Sequence, residues 1–142
     1  MKRILGLSFA LLLVGGIISY TTSQADPKDV AKATKNGGGN LIHLASESDL
    51  DTYLKNSAVV VDFFATWCPP CQKLGPVIDE VSKEFTNVYF IKIDIDSFNA
   101  LSSKYGVRSI PTLLYFKDGN KVKQTSGFKN KQELTAILND LY

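Results

Sequence analysis

The sequence predicts an α/β domain with a mixed central β-sheet and helices on both faces. Apolar runs of strand length alternate along the chain with stretches of helical periodicity, in the order βαβαβαββα. The run 58–64 is apolar throughout except for Asp62, which is typical of a strand covered on both faces. Strands joined through helices are expected to pair in parallel, whereas Asp118-Gly119 indicates an antiparallel hairpin near the C-terminus.

The first half of the domain predicts two strands and two helices. Residues 41–44 form a short strand, and Ser46 is placed to cap the next helix, with Asp49 three residues on. After the buried strand, residues 71–85 carry apolar side chains at helical spacing. Pro76 lies inside that pattern and is expected to kink the helix.

The second half predicts three strands and two more helices. These are, in order, strand 88–95, helix 99–105, and strands 112–116 and 121–125. The last two strands flank the Asp118-Gly119 turn and form the hairpin. Asn130 with Glu133 has the spacing of a capping box and opens the last helix.

The first 25 residues have the form of a secretory signal. Lys2 and Arg3 precede an uncharged, mostly apolar stretch over 4–20, and small residues at Ser23 and Ala25 suit a cut after Ala25. The alternative is an uncleaved anchor, because an apolar stretch of about 17 residues is at the short limit for a spanning helix. The sequence therefore predicts an exported chain, periplasmic or otherwise extracytoplasmic, with membrane attachment only if the leader is retained.

Charge gives no indication of a nucleic-acid partner. The chain has 16 basic and 14 acidic residues, and two of the basic ones, Lys2 and Arg3, belong to the leader. Cleavage would leave 14 of each sign, so the small positive net charge is a property of the leader. We expect residues 26–40 to be a flexible spacer and 41–142 to be one folded domain, with a monomer as the default.

Cys68 and Cys71 are the only two cysteines, and they lie where the buried strand should lead into a helix. Two thiols in that position can close and reopen a disulfide, which is the chemistry of electron-pair exchange. A zinc site needs about four ligands, and His43 is the only histidine. A structural disulfide is a poor alternative because so short a loop constrains little. We therefore predict a redox-active pair, with no metal and no other cofactor.

Several separated motifs resemble the thioredoxin family from about residue 41 to residue 142. They are 61–71 with Trp67-Cys68-Pro69-Pro70-Cys71, then Pro76, 92–94, 110–113, 118–119 and Gly127. The resemblance implies the thioredoxin fold and a protein-disulfide oxidoreductase. Cys68 would be the attacking thiolate, favoured by the positive end of the helix. Cys71 would be the more buried, resolving thiol.

The resemblance also assigns roles to two charged residues. Asp62 lies in an apolar strand, where a carboxylate is costly unless it is paired or used. Burial should raise its pKa, which suits proton exchange with Cys71. Lys92 is the matching lysine that would lie beside Asp62. The alternative is a purely structural charge pair, or a solvated strand lysine.

On the substrate side, the resemblance implies four contacts. Trp67 would shield the cysteines and offer an apolar surface, the alternative being a core aromatic. Pro111 matches the cis-proline of the family, and the backbone of Ile110 before it would pair with an extended substrate peptide. Gly127 would allow a partner to approach closely, unless it is a simple turn glycine. His43 is interpreted as a strand-end residue.

Two departures from the family pattern bear on function. Pro69 stands where glycine is common, which removes a backbone donor near Cys68 and leaves the direction of electron flow open. Phe64 replaces a common tryptophan. The first hypothesis is an exported protein-disulfide reductase that acts on exported proteins and exchanges electrons with an unidentified membrane donor or acceptor. The second is a Dsb-type thiol oxidase or isomerase, and the third a non-catalytic peptide-binding holdase.

Overall fold

The computed structural model describes residues 40–56 and 58–142, so the predicted leader and nearly all of the predicted spacer lie outside the described residues. The elements follow the predicted order. They are β1 (Leu41–His43), α1 (Glu47–Tyr53), β2 (Ala58–Phe64), α2 (Pro69–Glu84), β3 (Tyr89–Asp94), α3 (Asn99–Lys104), β4 (Thr112–Lys117), β5 (Asn120–Ser126) and α4 (Lys131–Leu141).

The strands form one mixed sheet in the order β1-β3-β2-β4-β5. Strands β1 and β2 both pair in parallel with β3, and β4 pairs antiparallel with β2 and with β5. The expectation that helix-connected strands run parallel is wrong for β4. The helix α3, which connects β3 to β4, is only about 9 Å long, too short to carry the chain back along the sheet. β4 therefore begins at Thr112 beside Phe63, at the end of the sheet where β3 stops, and runs in the opposite direction.

The sheet separates two apolar cores, which confirms helices on both faces. On one face, alternate residues of β2 (Val59, Val61 and Phe63) pack with α1 and α3. On the other, Val60 packs with the inner sides of α2 and α4, including Leu74, Ile78, Leu134 and Leu138. By the same alternation, Asp62 lies on the face covered by α2, the helix that begins at the cysteines.

Local sequence signals set most of the boundaries. The Asn130 side chain accepts a hydrogen bond from the Glu133 N–H at 2.9 Å, and the Glu133 carboxylate accepts one from the Asn130 N–H, so the predicted capping box is confirmed. Asp118 and Gly119 both have positive φ, as a two-residue hairpin turn requires. Ser46 does precede α1, but its hydroxyl bonds to that of Ser48 and caps no backbone N–H.

Helix length and hydropathy bear on membrane contact. In the described part of the chain, none of the helices combines the length and the apolar character that a membrane crossing requires.

Candidate active site

Cys68 and Cys71 form a disulfide at the junction of β2 and α2. Cys68 is the N-cap of α2, and its Sγ accepts a hydrogen bond from the Cys71 N–H at 3.2 Å. The positive end of the helix and this N–H both stabilise negative charge on sulfur. The geometry therefore favours Cys68 as the thiolate of the reduced pair.

Two prolines occupy the first two positions of α2, which starts two residues earlier than the periodicity predicted. Pro69 and Pro70 have no N–H and fit these positions, where helix N–H groups lack intrahelical acceptors. As a result, the Cys71 N–H is the one peptide donor among the first three helical positions that can reach the Cys68 sulfur. The thiolate of Cys68 has fewer donors than a non-proline sequence would offer.

The two cysteines are buried to the same degree. Cys68 is 3% exposed and Cys71 is 4% exposed, so the expectation that Cys71 is the more buried is wrong for the disulfide state. The reason is that both cysteines belong to one apolar cluster with Ala65, against which Phe64, Ile95 and Ile110 pack.

Asp62 and Lys92 are register partners on neighbouring strands, as the resemblance implied. The Lys92 Nζ lies 3.8 Å from Asp62 Oδ2, and it also lies 4.3 Å from the centre of the Phe64 ring. The Asp62 Oδ1 is buried and has no hydrogen-bond partner among the described residues. Burial raises the pKa of Asp62 to about 6, against the opposing effect of Lys92. Asp62 can therefore exchange a proton near neutral pH, and its role toward Cys71 stays a prediction.

His43 ends β1 and is exposed, as interpreted from the sequence. Its ring meets the Phe64 ring edge-on, with 6.4 Å between centroids. Although the residue as a whole is exposed, partial desolvation of its ring and the nearby Lys92 charge lower the pKa of His43. Within residues 40–56 and 58–142, no group of three or more His, Cys, Asp or Glu side chains could hold a metal ion.

Trp67 lies on the surface beside the cysteines. Its side chain is 64% exposed, so the alternative of a core aromatic is wrong. The indole Nε1 donates a 2.7 Å hydrogen bond to Asp96 Oδ2, which fixes the ring while leaving its face open. The sequence offered no signal for Asp96, because it lies 29 residues away and meets Trp67 only through the fold.

The loop before β4 completes the site. The Ile110–Pro111 peptide bond is cis, as the resemblance implies. Ile110 packs against the cysteines, and among the described residues its N–H and carbonyl make no hydrogen bond. Gly127 donates its N–H to the Pro111 carbonyl at 2.8 Å and has a φ of 80°, with open space where a Cβ would stand. Its turn conformation favours glycine.

A groove that the sequence did not predict lies next to the cysteines, on the side of Trp67 and Ile110. It has a volume of about 290 Å³, and Ile110 and Trp67 contribute to its walls together with Ile95 and Arg108. Ile95 and Arg108 are an ordinary strand-end residue and an ordinary loop residue in sequence. Only the meeting of the segments after β3 and before β4 reveals them as neighbours of the pair.

Comparison with known proteins shows what this arrangement is similar to. The family model described as Thioredoxin matches residues 41–140. A thioredoxin of Mycoplasmoides gallisepticum is 43% identical over 97 residues, which is 68% of this chain and 97% of that protein. Thioredoxin-3 of Dictyostelium discoideum is 44% identical over 98 residues, covering 69% of this chain and 93% of that protein.

Solved structures of thioredoxins are also similar to this chain. A mutant thioredoxin from Halobacterium salinarum NRC-1 superposes with a TM-score of 0.69 at 33% identity, over 75% of this chain and 95% of that one. Thioredoxin NaTrxh from Nicotiana alata gives a TM-score of 0.68, also at 33% identity, over 76% of this chain and 97% of that one. The similarity therefore spans nearly all of each relative.

The buried carboxylate generates a prediction on stability. Because the pKa of Asp62 is about 6 when folded and 3.8 ordinarily, the folded chain binds this proton more tightly, and stability falls as pH rises between those values. Asp62→Asn should therefore stabilise the oxidised protein by roughly 1–3 kcal/mol at pH 7.5. The gain should vanish near pH 4.

Urea unfolding at the two pH values measures this difference. Asp79→Asn is the matched control, since the Asp79 side chain is 43% exposed and pairs with Lys83 at the surface. Its effect should stay within about 0.5 kcal/mol at both values. An equal gain for Asp62→Asn at pH 4 and pH 7.5 would show that Asp62 is not the group that titrates.

Proposed function

The chain belongs to the thioredoxin family of protein-disulfide oxidoreductases, and from that premise we propose that it reduces disulfides of proteins outside the cytoplasm. The proposed direction of electron flow rests on one observation, the pair of prolines at the start of α2. With Pro69 and Pro70 in place, one peptide N–H supports the Cys68 thiolate. A less stabilised thiolate makes the dithiol a stronger reductant, since stabilising the reduced form is what makes a pair oxidising.

The first chemical step takes place at Cys68. Its thiolate attacks one sulfur of the substrate disulfide, a mixed disulfide forms between Cys68 and the substrate, and the other substrate sulfur leaves as a thiolate. The N-terminus of α2 stabilises the negative charge before the attack. The groove beside Trp67 supports an approach of the substrate from that side, because it lies next to the cluster that contains the cysteines.

The second step takes place at Cys71. Asp62 accepts the thiol proton of Cys71, and the new thiolate attacks the Cys68 sulfur. The disulfide between the two cysteines closes, and the reduced substrate leaves with both electrons. Asp62 suits this role because its pKa of about 6 lets it hold the proton and return it near neutral pH. The Lys92 charge on the neighbouring strand partly opposes the rise in the pKa of Asp62.

Substrate binding is supported by the free backbone of Ile110. Its N–H and carbonyl face no acceptor or donor among the described residues, so an extended peptide can pair with them as an added strand. Trp67 supplies an exposed apolar face on one side of the cysteines. Gly127 lies against Pro111 and presents no side chain to the incoming peptide.

The compartment is proposed from the sequence of the leader. Lys2, Arg3, the apolar stretch 4–20 and the small residues before Asp26 suit export and cleavage. The family match begins at residue 41, after the leader and the spacer. An extracytoplasmic reductase needs a dithiol donor that brings electrons across the membrane. A retained leader would instead anchor the domain at the membrane surface.

The redox potential tests the direction of electron flow. We expect a reducing value, near the −270 mV or so typical of thioredoxin. Pro69→Ala restores one backbone N–H and avoids the conformational freedom that glycine would add. If this N–H donates a hydrogen bond to the Cys68 thiolate, the reduced form is stabilised and the redox potential should rise by about 30 mV. Equilibration with glutathione and dithiothreitol measures both proteins. A wild-type value near −120 mV would reverse the assignment in favour of a Dsb-type thiol oxidase.

Trapping tests whether the chain exchanges disulfides with proteins at all. Cys71→Ser permits the first step and blocks the second, so mixed disulfides with exported proteins should accumulate. These mixed disulfides would appear as additional bands of higher mass on non-reducing gels, and the bands would disappear after treatment with dithiothreitol. Cys68→Ser should trap none and serves as the control. If Cys71→Ser traps nothing while the double variant keeps its cellular role, a peptide-binding holdase is the better account.

The mature N-terminus tests the compartment. Intact-mass measurement of the chain from its native cells should give a protein that begins at Asp26, recovered in the extracytoplasmic fraction. A full-length chain in the membrane fraction would instead establish an anchored reductase. A full-length chain in the cytosol would contradict export.

A further inference from the structure

The groove beside the cysteines carries one formal charge. Trp67 comes directly before Cys68, and Ile95 and Ile110 pack against the cluster that contains both cysteines, so the groove lies next to the site of disulfide exchange. Its lining is apolar at Trp67, Ile95, Val107 and Ile110 and polar at Ser102 and Ser109, and Arg108 is the one charged group among the described residues that line it. A substrate segment bound here would therefore meet an apolar surface and one guanidinium.

The Arg108 guanidinium is free to take a ligand. Over residues 40–56 and 58–142 it makes no ion pair, hydrogen bond or ring contact. Lys131, by contrast, forms ion pairs with Glu80 and Glu84. A guanidinium presents five donors in a planar fork, which matches the two oxygens of a carboxylate.

Among the described residues, no acidic side chain lines the groove to neutralise Arg108. The Asp96 carboxylate, whose Oδ2 accepts the Trp67 indole N–H at 2.7 Å, is not part of the groove lining. Arg108 is exposed. An incoming carboxylate would therefore meet an accessible positive group in a partly apolar groove.

The position of Arg108 relative to Ile110 brings the guanidinium close to a bound substrate. If the half-cystine residue of the substrate lies beside Cys68 and pairs with the Ile110 backbone, its neighbours lie along the segment before β4. Arg108 is two residues before Ile110 in that segment, which bends at Ser109 and Ile110. We therefore expect the guanidinium to reach substrate residues that are close in sequence to the half-cystine.

We propose that Arg108 selects disulfides that have an acidic residue close in sequence to the half-cystine. The inference rests on the reductase function proposed above and names its substrate class. Arg108 transfers no atom or electron. The dithiol of Cys68 and Cys71 supplies both electrons, and the guanidinium binds the substrate carboxylate through paired N–H donors while the sulfurs exchange. Arg108 is a specificity-determining residue.

Single-turnover reduction of matched peptides tests the proposal. The probes are disulfide-linked dimers of one synthetic peptide with Glu at position −2, Glu at position +2, or Gln at both positions relative to Cys. The pre-reduced full chain should react about fivefold faster with one of the Glu peptides than with the Gln peptide. Arg108→Gln should bring that ratio close to one. Arg108→Lys should keep part of it, because a lysine retains the charge but loses the fork.

Lys104→Gln is the matched control, because Lys104 is a cation of α3 that does not line the groove. Its Glu-to-Gln ratio should equal that of the wild type, and melting temperatures should confirm that all variants fold. The same ratio in wild type and Arg108→Gln, or no preference in the wild type, overturns the role of Arg108 and leaves the reductase intact. Failure to reduce any of the three peptides contradicts the reductase function itself.

Discussion

The burial of strand β2 on every side is the constraint on which the site depends. β2 is paired along one edge with β3 and along the other with β4, and both of its faces are covered by helices. Nothing at its C-terminal end can move without disturbing two cores. Cys68, the N-cap of α2, is four residues after Phe64, the last residue of β2. Its sulfur is therefore held close to a strand that is buried along nearly its whole length. A reactive group on so short a connection is held in place by packing rather than by the disulfide, which constrains little.

The same burial leaves Asp62 only 3% exposed, and this is a cost to the fold that the proposed proton exchange with Cys71 explains. A leucine at this position would add to the core between β2 and α2, whereas the carboxylate has one unpaired oxygen and an ion pair of 3.8 Å. Lys92 is shared between Asp62 and the Phe64 ring, so it compensates the charge only in part. Partial compensation keeps the pKa of Asp62 near neutrality instead of returning it to an ordinary value.

The sequence predicted the parts of this site that are encoded locally. The Cys-Pro-Pro-Cys spacing, the charge inside an apolar strand, the Asp118-Gly119 turn and the Asn130 capping box each depend on a few neighbouring residues, and the fold keeps all of them. The direction of β4 depends on how far α3 carries the chain, which periodicity does not report. Two other features depend on segments that are distant in sequence, those that contain Ile95 and Ile110, which pack beside the cysteines in the fold. These features are the equal burial of both cysteines and the groove with Arg108, and no local pattern could reveal them.

Reactivity and selectivity are therefore assigned to different parts of the chain. The electronic properties of Cys68 are set within one helical turn, by the dipole of α2 and by the single N–H that the two prolines leave. In the proposed function, recognition is set by the loop before β4, which packs against the cysteine cluster through Ile110 and, among the described residues, shares no hydrogen bond with the first turn of α2. Arg108 itself makes no ion pair or ring contact among those residues, and groups without shared partners act nearly independently. A change at Pro69 can consequently alter the redox potential without altering which disulfides are bound, and a change at Arg108 can alter substrate choice at constant potential.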